Sequence, residues 1–144
     1  MRLSAKAQYA CVAMVDLACS YGDQDSIRLK DIADKHGISQ RFLVQILLQL
    51  KGAGLVDSTR GATGGYLLAK APGLISMAEI VHAIDQPPPP APLALSGLYE
   101  TTIVQVVSSV LQEAQDREQH RLAELTLEDL VKQNHQRSEI SYQI

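Results

Sequence analysis

The chain has few of the residues that mark specialised protein classes. It holds no tryptophan, one phenylalanine, five tyrosines and two cysteines among its 144 residues. With so few aromatic side chains, we expect an aliphatic core. Cys11 and Cys19 form neither a CxxC pair nor a cysteine–histidine cluster, so the spacing gives no support to a structural zinc or cluster site. The histidines are scattered, and we predict no metal site and no cofactor.

Long apolar runs are also missing. The run near the amino terminus, Tyr9–Val15, is too short to cross a bilayer and is followed by Asp16. The sequence does not open with a basic segment, an apolar stretch and a cleavage site, so we predict a cytoplasmic protein without a membrane partner. No paired carboxylates, nucleophile–base pair or metal-ligand spacing stands out, which argues against an enzyme.

Charge is distributed unevenly along the chain. The net charge is −3, yet residues 1–70 hold nine Lys/Arg against six Asp/Glu, and residues 71–144 hold four against ten. A basic half beside an acidic half indicates that the first half faces a polyanion such as nucleic acid. Two ordinarily solvated surfaces would show the same asymmetry.

The stretch from Leu29 to Lys51 predicts a helix–turn–helix. Residues 29–36 have the apolar spacing of a short helix, which Gly37 ends. Ile38 then plugs the turn, and Ser39 is a good N-cap for a second helix. The apolar face of that helix comprises Phe42, Leu43, Ile46, Leu47 and Leu50. Its other face carries Gln and Arg side chains, whose donors and acceptors read base edges or grip phosphates.

A β-hairpin is predicted directly after the second helix. Residues 55–59 and 66–69 have the pattern of strands, with a glycine-rich turn and Arg60 between them. We expect the turn glycines to adopt backbone angles closed to other residues and to let the chain approach DNA closely. The segment Ile27-Arg28 is a candidate third strand. Together these elements predict a winged helix–turn–helix, which places its second helix in a major groove and its hairpin near the adjacent minor groove.

The first helix is expected to follow Ser4, a candidate cap. From Tyr9 to Cys19 only Asp16 is strongly polar, and a helix that is apolar nearly all round is buried on more than one side. We expect it to contact both the helix–turn–helix and a second subunit. Arg2, Ser4 and Lys6 at its start are candidates for a phosphate contact, and an ordinary frayed terminus fits them equally well.

The second half predicts a dimer. Residues 76–84 form a helix capped by Ser76, and the proline-rich stretch Gln86–Pro92 is extended, either as a stiff linker or as a docking peptide. A long helix follows from about Leu98 to about Arg121, and little of a single chain is left to cover its apolar stripe. The residues of that stripe, and of the predicted dimer interface, are Tyr99, Ile103, Val106, Val107, Val110 and Leu111.

The end of the chain predicts one more short helix. Residues 126–129 resemble a capping box, with Asp129 replacing the usual Glu, and the helix runs through Val131. A loose tail follows from Gln136. The fold class is therefore mainly α with a small β-hairpin wing, divided into a winged helix–turn–helix domain (1–85), a proline-rich loop (86–97), a dimerisation helix with the final short helix (98–133) and a flexible tail (134–144).

The chain resembles the Rrf-two family of bacterial transcriptional regulators, also called BadM/IscR-type. The resemblance covers roughly Met1 to Val131. It is carried by motifs that include Met1–Ser4, Asp31–Ala33, Gly37–Ser39, Phe42-Leu43, Gly54–Val56, Arg60-Gly61 and Gly64–Leu67. It implies a homodimeric winged-helix regulator whose long helix reaches across to the other subunit. Two recognition helices about one DNA turn (~34 Å) apart would read a pseudo-palindromic operator in double-stranded DNA.

The resemblance also implies DNA contacts by Ser39, Gln40, Arg41, Gln45 and Arg60. The full predicted set of DNA-contacting residues is Arg2, Ser4, Lys6, Ser39, Gln40, Arg41, Gln45, Arg60, Gly61, Gly64, Gly65 and Tyr66.

Two departures from the family pattern change the expected mechanism. Cluster-binding members carry three cysteines in the loop before the long helix, and here Gln86–Gly97 contains none. An iron–sulfur cluster held in the usual way is therefore excluded by composition. Many members also have a Glu where this chain has Val44, which implies a different or relaxed operator.

We therefore predict a cluster-free, sequence-specific transcriptional regulator, with repression as the expected direction. Its signal would be a small molecule or a protein effector. Cys11 and Cys19 are candidate thiol sensors, although cysteines on a buried apolar helix are more often inert. The alternative is a protein-interaction module of the same fold that has lost specific DNA binding.

Overall fold

The described part of the protein, residues 3–23, 26–62, 64–86 and 94–143 of a computed structural model, contains six α-helices and one β-hairpin. The helices are α1 (Ala5–Cys19), α2 (Leu29–His36), α3 (Gln40–Gly52), α4 (Met77–Ile84), α5 (Thr102–Glu124) and α6 (Leu127–Gln143). The hairpin pairs β1 (Val56–Thr59) with β2 (Gly65–Leu68). Short 3-10 helices cover Pro72–Leu74 and Ala94–Gly97. The predicted mainly α fold with a small hairpin is confirmed.

Helix α1 runs through the core. Ser4 caps it as predicted, because its hydroxyl accepts a hydrogen bond from the Ala7 amide at 3.0 Å. The helix packs against α3, α4, α6 and β2. Its fully buried residues are Ala7, Ala10, Ala13 and Met14. The prediction that this helix is buried on more than one side is confirmed.

Helices α2 and α3 form the predicted helix–turn–helix. Gly37 ends α2 in a left-handed conformation (φ 70°) that side-chain-bearing residues rarely adopt. Ile38 is buried beneath the turn, as expected. The inner face of α3 is fully buried through Leu43, Ile46, Leu47 and Leu50.

Ser39 occupies the N-cap position of α3, but its side chain makes no capping hydrogen bond. The sequence pattern is therefore right about where the helix begins and wrong about the capping bond. The exposed Ser39 hydroxyl lies beside Gln40 and Arg41 at the start of the helix.

The hairpin is held to the rest of the protein by a third backbone segment. Its two strands are antiparallel, with Val56 opposite Leu68 and Thr59 opposite Gly65. Ile27 extends this pairing, because its amide donates to the Tyr66 carbonyl at 2.8 Å and its carbonyl accepts from the Tyr66 amide at 2.7 Å. The predicted strand at Ile27 is confirmed as a single bridge.

The wing glycines serve two different purposes. Gly61 has a left-handed backbone (φ 101°), as predicted, but Gly64 and Gly65 do not, so the expectation of special angles is wrong for these two. They are constrained by space instead. A Cβ at Gly64 would lie 2.6 Å from the Thr59 carbonyl oxygen, and one at Gly65 would collide with the Ile27 carbonyl oxygen. Gly64 lets the wing turn close on its own backbone, and Gly65 lets the wing approach the backbone of Ile27.

Two reciprocal caps confirm the predicted starts of α4 and α6. The Glu79 amide donates to Ser76 Oγ at 3.1 Å, and the Ser76 amide donates to Glu79 Oε1 at 3.3 Å. The Asp129 amide donates to Thr126 Oγ1 at 3.2 Å, and the Thr126 amide donates to Asp129 Oδ2 at 3.0 Å. Each box satisfies two amides that the helix itself leaves unpaired.

The long helix begins later than its apolar pattern indicates. Thr101 is the N-cap of α5, its hydroxyl accepting from the Val104 amide at 3.2 Å. The predicted start at Leu98 is therefore wrong, and Tyr99 lies before the helix, 92% exposed. An apolar residue can extend the pattern by chance, whereas a cap determines where hydrogen bonding begins. The helix also ends at Glu124, beyond the expected Arg121.

The last helix is longer than predicted, continuing past Val131 to Gln143. The apolar pattern stops near Val131, but neither Gly nor Pro occurs between Leu127 and Gln143 to break the helix. The expectation of a loose tail from Gln136 is therefore wrong for the residues up to Gln143. Leu127 is fully buried in the core, and α6 packs on α1.

The predicted polyproline segment lies almost wholly outside the described residues, as residues 87–93 are not among them. Within the described ranges, no helix is long and apolar enough to cross a membrane.

Replacing Gly65 by Ala tests the close approach of Ile27 to the wing. We expect the free energy of unfolding to fall by about 1–3 kcal/mol, because the added methyl group must displace backbone. Urea denaturation measures the change. The matched control is Gly52→Ala, at an exposed helical position with open space around the new Cβ. That substitution should instead stabilise the protein by up to about 1 kcal/mol. Equal effects of the two substitutions would contradict the packing argument.

Candidate nucleic-acid interface

The outer face of α3 carries polar side chains without protein partners. Because the inner face is fixed in the core, Gln40, Arg41 and Gln45 are held exposed at the start of the helix. Within the described part of the chain, no hydrogen bond or ion pair engages these three side chains or the Ser39 hydroxyl. Their donors and acceptors are therefore available to an external ligand.

A buried carboxylate holds α2 against α1. Asp16 Oδ2 lies 2.8 Å from His36 Nε2, and Asp16 Oδ1 lies 3.2 Å from Lys35 Nζ. The Asp16 side chain is only 8% exposed, whereas Lys35 is 65% exposed. Cations at the carboxyl end of α2 also interact favourably with the helix dipole. This network, which includes His36, fixes the first helix of the helix–turn–helix relative to the core.

Arg28 connects α2 to the wing. It stands at the N-cap of α2, and its guanidinium Nη2 donates to the carbonyl oxygen of Ala62 in the wing turn. The adjoining segment adds a second contact, from Thr59 Oγ1 to Ser26 Oγ at 3.1 Å. Sequence reasoning missed Arg28 as a wing-holding residue, because its partner is a backbone carbonyl 34 positions away.

The wing places one cation at its tip and one at its base. Arg60 is exposed between Thr59 and Gly61, and in the described part of the chain no hydrogen bond or ion pair engages it. Lys51, at the end of α3, donates to Ser58 Oγ at 2.6 Å. The tip cation is therefore free to contact a ligand, while Lys51 links the recognition helix to the hairpin.

The remaining wing residues of the predicted set lie closer to the core. Tyr66 is half-buried and packs against the hydrophobic core, while its backbone pairs with Ile27. Gly61 is exposed, and Gly64 and Gly65 are partly covered by neighbouring backbone. These four residues shape the wing that carries Arg60. Direct DNA contacts by them stay predictions.

The amino-terminal candidates are arranged differently. Arg2 lies outside the described residues. The Ser4 amide donates to Asp85 Oδ2 at 3.0 Å, and its hydroxyl donates to Asp85 Oδ1 at 2.6 Å. The carboxylate thus occupies the place where a phosphate would bind, and a phosphate would have to displace it. Lys6 is half-buried two residues further on.

Two cavities lie behind this surface. One of about 290 Å³ lies beneath the wing, between the end of α1 and β2, and is lined by Leu17, Tyr21, Ile27 and Tyr66 among others. The other, of about 360 Å³, lies between α1 and α6 and is lined by Cys11, Val12, Cys19, Leu130 and their neighbours. Both are mainly apolar and are at the lower end of the size range of small-molecule sites.

The fold and the exposed polar helix define a winged helix–turn–helix protein. A family model described as "Rrf2: Iron-dependent Transcriptional regulator" matches residues 3–133. The chain belongs to the Rrf2 family, which confirms the family resemblance of the sequence.

Named relatives agree with this assignment. The HTH-type transcriptional regulator IscR of Enterobacter sp. is 42% identical over 86 residues, which are 60% of this chain and 52% of that protein. The chain thus spans about half the length of the curated relatives it matches. CymR, the global cysteine regulator of B. subtilis, superimposes with a TM-score of 0.80 at 30% identity, covering 92% of this chain and 97% of that one. For T. potens IscR the TM-score is 0.73 at 31% identity, covering 93% and 88%. The relatives are named as regulators, not enzymes.

The residues of this chain do not fit the iron of the family description. No group of three or more His, Cys, Asp or Glu close enough to hold a metal occurs among the described residues. Cys11 and Cys19 lie eight positions apart on one helix, and Asp85, just after α4, is bonded to Ser4. Burial raises the pKa of the Cys11 thiol to about 11. Burial and the nearby Asp16 carboxylate also raise the pKa of Cys19. Both shifts disfavour the thiolate, which is the form that binds a metal.

Arg28→Ala tests whether this side chain holds the wing. Loss of the bond to the Ala62 carbonyl should speed hydrogen exchange of the Gly64 and Gly65 amides roughly tenfold. The overall free energy of unfolding should change by no more than about 0.5 kcal/mol, because Arg28 is exposed. The matched control is Lys30→Ala, which removes an exposed cation two residues further on. If the Arg28→Ala variant exchanges these amides no faster than the Lys30→Ala control, Arg28 does not hold the wing.

Proposed function

We propose that the protein is a homodimeric, sequence-specific DNA-binding regulator of transcription that works without an iron–sulfur cluster. One observation carries the proposal: the unpartnered polar face of α3 stands beside a wing whose tip carries an unpaired cation. Such a surface, on a helix whose opposite side is locked in the core, matches a recognition helix.

The side chains suit base reading in the major groove. A Gln pairs in bidentate fashion with adenine, and an Arg pairs with guanine, so Gln40, Arg41 and Gln45 can each discriminate bases. Ser39 suits a phosphate contact at the helix start. Arg60 at the wing tip suits the adjacent minor groove, where a narrow width concentrates negative potential.

A second copy of the chain is the proposed partner of α5. This helix has 23 residues and none of them is buried. Ile103 is 77% exposed and Val110 is 59% exposed, and an isolated helix with an uncovered apolar stripe is only marginally stable in water. Pairing of two such helices covers the stripe. It also spaces two α3 helices for half-sites about one DNA turn (~34 Å) apart, the arrangement that reads a pseudo-palindrome.

The proposed signal is a small molecule or a protein partner. No group of metal ligands occurs among the described residues. The cavity beneath the wing, in contrast, touches Ile27 and Tyr66, whose pairing holds the hairpin. A ligand there would act directly on the position of the wing. We propose repression because a dimer that occupies a promoter excludes polymerase by overlap. The protein would work beside the DNA, in the cytoplasm.

Selection from a random DNA pool tests sequence-specific binding. The purified protein should enrich one pseudo-palindrome and prefer it over scrambled DNA by about a thousandfold or more. Arg41→Ala should weaken binding to the selected site by about 1–3 kcal/mol. The control Arg137→Ala removes an equal charge from an exposed position on α6, outside the proposed DNA and dimer surfaces, and should bind as the wild type does.

Two outcomes would contradict parts of this proposal. Weak, salt-dominated and equal binding to every DNA would favour the interaction module that has lost specificity. Affinity that appears only after anaerobic reconstitution with iron and sulfide would overturn the cluster-free mechanism.

Val107→Asp tests the dimer. A buried unpaired charge should weaken self-association at least about 100-fold in sedimentation equilibrium. Gln105→Asp adds the same charge on the opposite side of α5 and should leave the dimer intact. Unchanged association of both variants would exclude the α5 stripe as the interface.

A further inference from the structure

The outer face of α3 is interrupted by two apolar side chains. Val44 is 39% exposed and Leu48 is 57% exposed. Val44 lies in the first half of the helix, directly before Gln45 and three residues after Arg41. Because residues three and four apart are neighbours on a helix surface, Val44 stands among the polar side chains proposed to read bases. Leu48 lies one turn further along.

Exposure alone would not make Val44 a recognition residue, since single exposed apolar side chains are common. Its position does so. If Gln40 and Arg41 reach base edges, Val44, which is their neighbour one turn along the same helix surface, lies against the groove beside them. A helical valine has one strongly preferred rotamer, so its methyl groups are presented at little entropic cost.

Resting on the proposed DNA binding, we propose that Val44 reads the 5-methyl group of a thymine in each half-site. The thymine methyl is the apolar group that base pairs present in the major groove, and valine has no donor or acceptor for any other edge. Cytosine at the same place would bury its N4 amino group against methyl groups without a partner. Val44 therefore both attracts thymine and disfavours cytosine.

Removing one methyl group from the DNA tests this contact separately from all others. In the selected site, each thymine is replaced in turn by deoxyuridine, which removes the methyl group and keeps the hydrogen-bonding pattern. At one symmetric position, wild-type affinity should fall about fourfold for one half-site and about fifteenfold for both. Cytosine there should bind more weakly still, and 5-methylcytosine should recover part of that loss.

The same DNA sites are then measured with two protein variants, Val44→Ala and Leu48→Ala. The Val44→Ala variant should bind the thymine and deoxyuridine sites equally at that position, whereas Leu48→Ala should keep the full wild-type difference. Urea denaturation checks that both variants fold as stably as the wild type, as expected for exposed positions.

The outcomes separate the two proposals. A selected site with strong preference but no methyl-sensitive thymine overturns the role of Val44 and leaves the regulator intact. The same follows if methyl sensitivity survives in Val44→Ala or disappears only in Leu48→Ala. Equal binding to selected and scrambled DNA overturns both proposals, because there is then no site to read.

Discussion

The packing of α3 against α1 is the constraint on which the rest of the structure depends. Four aliphatic side chains of α3 are completely withdrawn from water, and α1 supplies small and medium apolar residues opposite them. Because turning the helix would expose these side chains to water, α3 is held in one orientation relative to α1. Its opposite side is then exposed without any element of the chain having to hold it. The polar residues from Ser39 to Gln45 acquire a rigid platform in this way.

The base of the wing is packed into the core through Val56 and Leu68, whereas its turn is held by weaker forces. The wing also lies on the core through the half-buried Tyr66, but its direction depends on the backbone bridge to Ile27 and on the Arg28 side chain. Net hydrogen-bond contributions are about 1 kcal/mol each, so the wing can shift without unfolding the protein. A cavity lies directly beneath it. Strong burial of the recognition helix beside a hydrogen-bonded wing turn is consistent with the proposal that a signal adjusts the affinity for DNA through the wing.

The basic residues and the exposed apolar stripe lie in different halves of the chain. This separation agrees with the two proposed contacts, one with DNA and one with a second copy of the chain. The basic residues of the first half include the unpaired Arg41 and Arg60, which suit a polyanion. The acidic second half contains α5, whose exposed apolar stripe suits a second copy of the chain rather than DNA. A dimer formed through α5 would leave the two basic surfaces free.

Elements with local causes could be predicted from the order of residues alone. Gly37 at the turn, the cap at Ser76, the capping box at Thr126 and the apolar face of α3 act over a few residues, so spacing and residue type reveal them. The same periodicity placed the polar side chains of α3 on its exposed face, and the family resemblance implied their contacts with DNA. Where a local pattern ended without a breaking residue, as in α6, the boundary was misjudged.

Contacts between distant positions could not be predicted in this way and became visible only in the folded chain. Ser4 meets Asp85 across 81 positions, Arg28 meets a carbonyl across 34, and Asp16 meets His36 across 20. The tertiary structure likewise explained Gly64 and Gly65 by crowding instead of by backbone angle. Such contacts depend on how whole elements pack, and no short-range pattern encodes which distant group a polar side chain will meet.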